Sequence, residues 1–484
     1  MNLHRRMICK VLGDLLLLET AMILTGGAVS LYYEGKDLPA FLCSALITAL
    51  AGGILLFFGK HAERQLTRRD GYLIVSLAWC VFSLFGMLPY LLSGYIPRPV
   101  NAFFETMSGV SSTGASILDN IEALPHGLLF WRSMTQWIGG LGIVLFTIAV
   151  LPIFGVNGVQ VFAAEATGPT KEKVHPRIGI AARWIWTLYL SLTLVCAVLL
   201  WLGGMSGFDA VCHSMTTTST GGFSTHQDSI AYFHSPYIEY VLSAFMLVSG
   251  INFSLILLFC TGRFKKMIKD VELRFYLGCL LLATLFCAFC LYQQQPSLGG
   301  EPALRTALFQ VISIQTSTGF ATSDYMTWPQ IAWGIMPLMM LTGACAGSTS
   351  GGMKCIRIVI LSKVSQNEFK RLLHPNAVLP VRINRQVIAP TLRDTVLAFT
   401  FLFVVITFVC ILTLMGMGLP FLEATGIVVS SMGNTGPGLG AFGPAFSWNA
   451  LPDAAKWLAS FLMLLGRLEL FTVLLIFTPD FWRK

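Results

Sequence analysis

Four short polar segments hold the residues of this sequence best suited to chemistry. Each carries a Thr-Gly dipeptide: Ser112-Thr113-Gly114, Ser219-Thr220-Gly221, Ser317-Thr318-Gly319 and Asn434-Thr435-Gly436. The glycines are separated by 107, 98 and 117 residues. A helix-compatible run, half the length of a membrane span, leads into each dipeptide. The chemistry such a segment offers is carbonyl coordination. Glycine reaches positive φ without a Cβ clash, so successive carbonyls can turn toward one axis. Four such strands around an axis form rings of oxygens that replace the hydration shell of a monovalent cation. The preceding half-helix points its partially negative end the same way. A single Thr-Gly pair would be an ordinary turn. Four at matching positions argue for an internal repeat.

The elements that must position these segments are membrane helices. Of 484 residues, 55% are hydrophobic and 12% charged, with a mean hydropathy of +0.70. Soluble chains carry about 25% charged residues, so a soluble enzyme is excluded. Apolar stretches recur end to end at close to the ~20 residues that cross a bilayer as a helix. Non-helical backbone at that depth is tolerated only where it is buried in protein or lines a wet cavity. The expected fold class is therefore an all-α integral membrane protein. It holds four helix–pore-loop–helix repeats in pseudo-four-fold arrangement, preceded by two helices at about 11–33 and 39–58. The expected organisation is 1–70 for the two N-terminal helices, then repeats at 71–182, 183–272, 273–392 and 393–484, the third with an extra polar break.

Charge sets the orientation. Of the 32 Lys and Arg, 24 lie on the side shared by the loops that follow each repeat, among them Lys171, Lys173, Arg177, Arg263, Lys265 and Lys370. That bias makes this side cytoplasmic, and an even number of crossings places both termini there. The net charge of +8 is thus a topology signal and does not point to nucleic acid. The twelve cysteines show no Cys/His cluster with zinc spacing and read as small packing residues. His213 and His226 read as structural hydrogen-bonding groups.

The second spanning stretch of the third repeat is interrupted by 343–352, a run of Gly, Ser and Thr that cannot hold a good helix. Arg467 lies deep in the last stretch. A charge there costs at least ~2.5–3.5 kcal/mol on insertion scales and marks a functional candidate. Lys354 follows the glycine run and could either act with it or snorkel to the interface. Arg357 reads as snorkelling. Glu469, two residues from Arg467, does not share its helix face.

In combination these segments resemble the Trk/Ktr/HKT superfamily of potassium transporters, in particular the bacterial Trk-type membrane subunit. Gln136-Trp137-Ile138-Gly139-Gly140, Gly221-Gly222-Phe223-Ser224-Thr225-His226, Asn434-Thr435-Gly436-Pro437-Gly438 and Gly466-Arg467-Leu468-Glu469 carry the likeness, which covers essentially the whole chain. The resemblance implies a single-chain pore with filter carbonyls at the four triplets above and potassium as substrate, with no covalent cofactor. In plant relatives a Ser in place of the first-loop Gly goes with sodium selectivity, so Gly in all four loops favours potassium. It also implies a gate below the filter at Gly343, Gly347, Ser348, Gly351 and Gly352, with Lys354 and Arg467 nearby. Ser350 stands where Gly is common. A homodimer in the bacterial inner membrane and a cytosolic nucleotide-binding regulatory subunit are implied as well. No Walker A motif is present in the chain itself.

Two other classes fit these residues less well. A sodium- or proton-coupled potassium symporter would place acids or histidines mid-membrane as relays, whereas these segments are dominated by Thr, Ser and Gly. An intramembrane enzyme would need a unique catalytic cluster such as H-E-x-x-H, and none stands out.

Overall fold

The structure is a computed structural model that describes residues 3–60, 62, 67–142, 178–384 and 386–483. The continuation of the first repeat to 155 and its basic loop with Lys171, Lys173 and Arg177 lie outside the described residues. Two helices come first, α1 (Arg5–Tyr32) and α2 (Leu38–Gly59). They pack along each other, with the backbone of Gly13 against Gly52. Small residues let helix backbones approach in lipid, where hydrophobic burial gives no drive of its own. Glu19 of α1 is fully buried among the described residues, beside Gly86.

Each repeat then runs helix, short helix, loop, helix. The first has α3 (Arg68–Gly86), α4 (Pro99–Val110) and α5 (His126–Leu141). The second has α6 (Ile178–Leu202), α7 (Gly207–Thr218), α8 (Pro236–Ser249) and α9 (Phe253–Cys260). The third has α10 (Val271–Gln294), α11 (Gly300–Gln315), α12 (Met336–Leu341) and α13 (Cys355–Leu373). The fourth has α14 (Pro390–Gly416), α15 (Phe421–Gly433), α16 (Asp453–Arg467) and α17 (Phe471–Leu474). One buried apolar cluster joins α1 to repeats one and four, and a second joins repeats two and three.

Among the described residues five helices are long and apolar enough to cross a membrane, or seven if each of two bent pairs counts as one span. Those pairs depart from expectation. The last stretches of repeats two and four read as continuous in the sequence, yet α8 and α9 meet at 105°, and α16 and the segment Phe471–Phe477 at 111°. Asn252 makes the first break by capping α9, its Oδ1 accepting from Ser254 N at 2.8 Å. The second break runs through Glu469 and Leu470, at φ 54° and 53°. Among the described residues the chain also departs from pure helix in one hairpin, β1 (Arg382–Ile383) against β2 (Gln386–Val387), in the basic segment between repeats three and four.

Candidate functional site

The four short helices α4, α7, α11 and α15 end in the same way. One residue of each turn adopts the left-handed region: Ser112 (φ 54°), Thr220 (52°), Ser317 (55°) and Asn434 (51°). The following N–H reaches back five residues: Thr113 N to Ser108 O at 2.8 Å, Gly221 N to Thr216 O at 2.8 Å, Thr318 N to Ser313 O at 2.8 Å and Thr435 N to Ser430 O at 2.9 Å. This is a Schellman closure, which satisfies an orphan carbonyl and turns the chain out of the helix. Glycine usually fills the left-handed position. Here hydroxyl or amide side chains fill it: Thr220 Oγ1 bonds locally to Ser219 O at 2.7 Å, while Asn434 Nδ2 reaches Met463 O of α16 at 2.9 Å.

Two residues further on stand Gly114, Gly222, Gly319 and Gly436, with φ of 88°, 78°, 83° and 100°. The second loop is therefore read one residue late relative to its Thr-Gly pair. Its counterpart of Gly114 is Gly222, its counterpart of Thr113 is Gly221, and Ser219 falls outside the matched triplet. The physical reason is the backbone: the reach-back bond and the positive φ fix the register, and the dipeptide does not.

In this register the four strands close a ring. A Cβ built on Gly114 would collide with Gly221 O, on Gly222 with Thr318 O, and on Gly319 with Thr435 O. On Gly436 it would lie 2.7 Å from Thr113 O. Each glycine thus lies against the carbonyl of the next loop in turn, and the fourth returns to the first. The same four glycines line a single cavity of about 80 Å³. Glycine is required at these places twice over, by φ and by the neighbouring oxygen.

Buried polar groups hold the ring from behind. Glu105 of α4 pairs with Arg132 of α5 at 2.9 Å, with 0% and 1% of the side chains exposed. Glu105 also accepts from Ile117 N at 3.0 Å and from Ser116 Oγ at 2.9 Å. Arg132 donates to Ser224 O of the second loop at 3.0 Å and stacks 4.1 Å over Phe223. His213 contacts Ser224 Oγ at 3.0 Å and Asp209 O at 2.8 Å. Tyr325 donates to Gly438 O of the fourth loop at 2.5 Å. The sequence pattern does not single out Glu105, Arg132 or Tyr325. A charged pair spread over two otherwise apolar elements was the available signal for the first two.

The glycine-rich break at 343–352 lies against the ends of three of the short helices. Thr349 Oγ1 donates to Thr218 O at 3.1 Å. Gly351 N donates to Ser317 Oγ at 2.6 Å, and Ser350 Oγ meets the same oxygen at 3.1 Å. A Cβ on Gly351 would be 2.6 Å from Asn434 Cβ and from Gly433 O. Gly347 O accepts from Phe253 N at 3.0 Å, and Ser348 Oγ donates to Cys345 O at 2.6 Å. Gly347 and Gly352 have positive φ, while Gly343 lies against Gly351 and Gly352. Glu272 at the start of α10 anchors the run, accepting from Ala346 N at 2.6 Å and Ile356 N at 3.1 Å.

Arg467 reaches this run. Its Nη1 donates to Thr349 O at 2.7 Å, and its Nη2 to Gly139 O and Gly140 O at 2.6 and 2.8 Å. Lys354 is buried and donates to Ser350 O. Arg357 corrects an expectation. It does not snorkel but is buried, pairs with Glu469 and stacks 3.9 Å over Phe399. The bend at Glu469 turns that carboxylate toward α13, which is why a helical face argument misses the pair.

Four helix–loop–helix units, their loops meeting in one closed ring among helices long and apolar enough to cross a membrane, define an all-α integral membrane protein. A family model described as TrkH, cation transport protein, matches residues 38–484. The chain is 37% identical to the Trk system potassium uptake protein TrkH of Salmonella typhimurium and 36% identical to TrkG of Escherichia coli, covering at least 99% of each. A crystal structure of the potassium transporter TrkH from Vibrio parahaemolyticus superposes with a TM-score of 0.89 at 36% identity, covering 99% of both chains. The chain belongs to the TrkH family, whose members are transporters rather than enzymes.

Proposed function

We infer that the chain takes potassium into the bacterial cell across the inner membrane, through the axis of the four-loop ring. The observation that carries this reading is the closure of the ring, glycine to carbonyl, through Gly114, Gly222, Gly319 and Gly436. Such a ring offers peptide oxygens in place of water, and each short helix aims its negative end at it. The filter segments are 112–114, 220–222, 317–319 and 434–436. The four repeats act as the units first bounded at 71–182, 183–272, 273–392 and 393–484, with both termini cytoplasmic. The names of the relatives, potassium uptake proteins of the Trk system, support potassium as substrate. A second copy of the chain and a cytosolic nucleotide-binding regulator complete the proposed assembly, docking on the basic cytoplasmic loops. The test is flux into liposomes. Potassium should enter far faster than sodium, and equal entry of both would overturn the reading.

The run 343–352 serves as gate. It crosses directly beneath three of the four strands, and Arg467 ties it to the end of α5. Hydrogen bonds from a charged donor are worth about 1.5–3 kcal/mol each, so removing the guanidinium favours the open state by several kcal/mol. Arg467→Ala should raise basal potassium flux about tenfold or more at an unchanged potassium-to-sodium ratio. Glu272→Ala should act in the same direction by releasing Ala346 and Ile356. Basal flux at the parent level in both variants would remove the run from the gate.

A further inference from the structure

The position after the left-handed residue is Thr113, Thr318 and Thr435 in three strands but Gly221 in the second. What breaks the symmetry stands behind Gly221. A Cβ there would fall on the carboxamide of Gln136, 2.9 Å from Nε2 and closer still to its carbon. Gln136 belongs to α5 of the first repeat and is fully buried. Its Nε2 donates to Gly221 O at 2.6 Å, and its Oε1 accepts from Phe223 N at 3.0 Å. The pair of bonds fixes the amide orientation, because the flipped amide would set oxygen against oxygen and N–H against N–H. The side chain thus grips the second strand as a neighbouring β-strand would, by one donor and one acceptor.

The oxygen it holds is the one that packs against Gly114. Gln136 therefore sets the seam between the first and second strands from the far side. The threonines make other contacts: Thr113 Oγ1 meets Asn434 Nδ2 at 3.0 Å and Thr318 Oγ1 meets Thr316 Oγ at 2.8 Å. A carbonyl with one lone pair engaged by a donor is also a stiffer and weaker cation ligand than its three counterparts.

We propose that Gln136 is a positioning residue of the ion ring, standing in for the missing fourth threonine and setting discrimination between potassium and sodium through the Gly221 carbonyl. This rests on the potassium-pore reading above. The test compares potassium and sodium uptake by the full chain in liposomes. Gln136→Met keeps the volume and deletes both bonds, and should lower the potassium-to-sodium ratio about tenfold. Gly221→Thr alone collides with Gln136 and should lower it as well. Gly221→Thr/Gln136→Ala places threonine at this position in all four strands and relieves the collision, and should restore the ratio to within about threefold of the parent. A parent ratio in Gln136→Met overturns the proposal. Should Gln136→Met not fold, a double variant no better than Gly221→Thr alone overturns it. A parent chain with no potassium preference fails the underlying reading instead, so the two failures are distinguishable.

Discussion

Gly114→Ser lowers the potassium-to-sodium flux ratio of the reconstituted chain by about tenfold or more, equivalent to at least ~1.4 kcal/mol of lost discrimination. Two costs act together. At φ 88° a residue with a Cβ is strained by about 1–3 kcal/mol. The same Cβ drives into Gly221 O, so either the first strand retreats or the second carbonyl turns away. Both outcomes open the ring on one side and leave an ion partly hydrated there, which removes the penalty that sodium faces. The register makes the prediction sharper. Gly222→Ala should act like Gly114→Ser, because its Cβ meets Thr318 O. Gly221→Ala should act through Gln136 and so be relieved when Gln136 is shortened. An unaltered ratio in both Gly114→Ser and Gly222→Ala would contradict the ring.

Arg132→Leu should destabilise the chain by about 3–5 kcal/mol, because it strands the Glu105 carboxylate in a buried site. That is a large part of a total that for folded domains is typically 5–15 kcal/mol. The loss also frees Ser224 O and Phe223 of the second loop, which Arg132 holds at 3.0 and 4.1 Å. Glu105→Leu/Arg132→Met should recover much of the stability, since a buried pair replaced by apolar side chains of similar volume is often neutral. It should not recover the cross-link between the first and second loops. Thermal unfolding in detergent, read beside flux, checks both statements. A double variant no more stable than Arg132→Leu would contradict the account of the pair.

The sequence shows the ring because its signal is repeated. Four Thr-Gly pairs between apolar stretches stand out without any knowledge of contacts. It does not show the register of the second loop, where Thr220-Gly221-Gly222 offers two glycines and only the reach-back bond to Thr216 chooses between them. The break at 343–352 is legible because glycine, serine and threonine weaken a helix locally. The break at Glu469 and Leu470 is not, because neither residue favours positive φ and tertiary packing imposes it. Arg357 and Glu469 are 112 residues apart, so no helical spacing could pair them. The role of Glu272 was hidden for the same reason, since its partners Ala346 and Ile356 lie 74 and 84 residues further along the chain. Local propensity reveals elements, while cross-chain contacts decide which polar groups meet.

The central claim, that four strands surround one cation path, is tested most directly by a structure of the chain soaked in rubidium, a potassium stand-in with a strong anomalous signal. The account predicts anomalous density on the axis enclosed by the carbonyls of Thr113, Gly221, Thr318 and Thr435. Density elsewhere in the chain with that axis empty, in protein that still carries potassium, would contradict it.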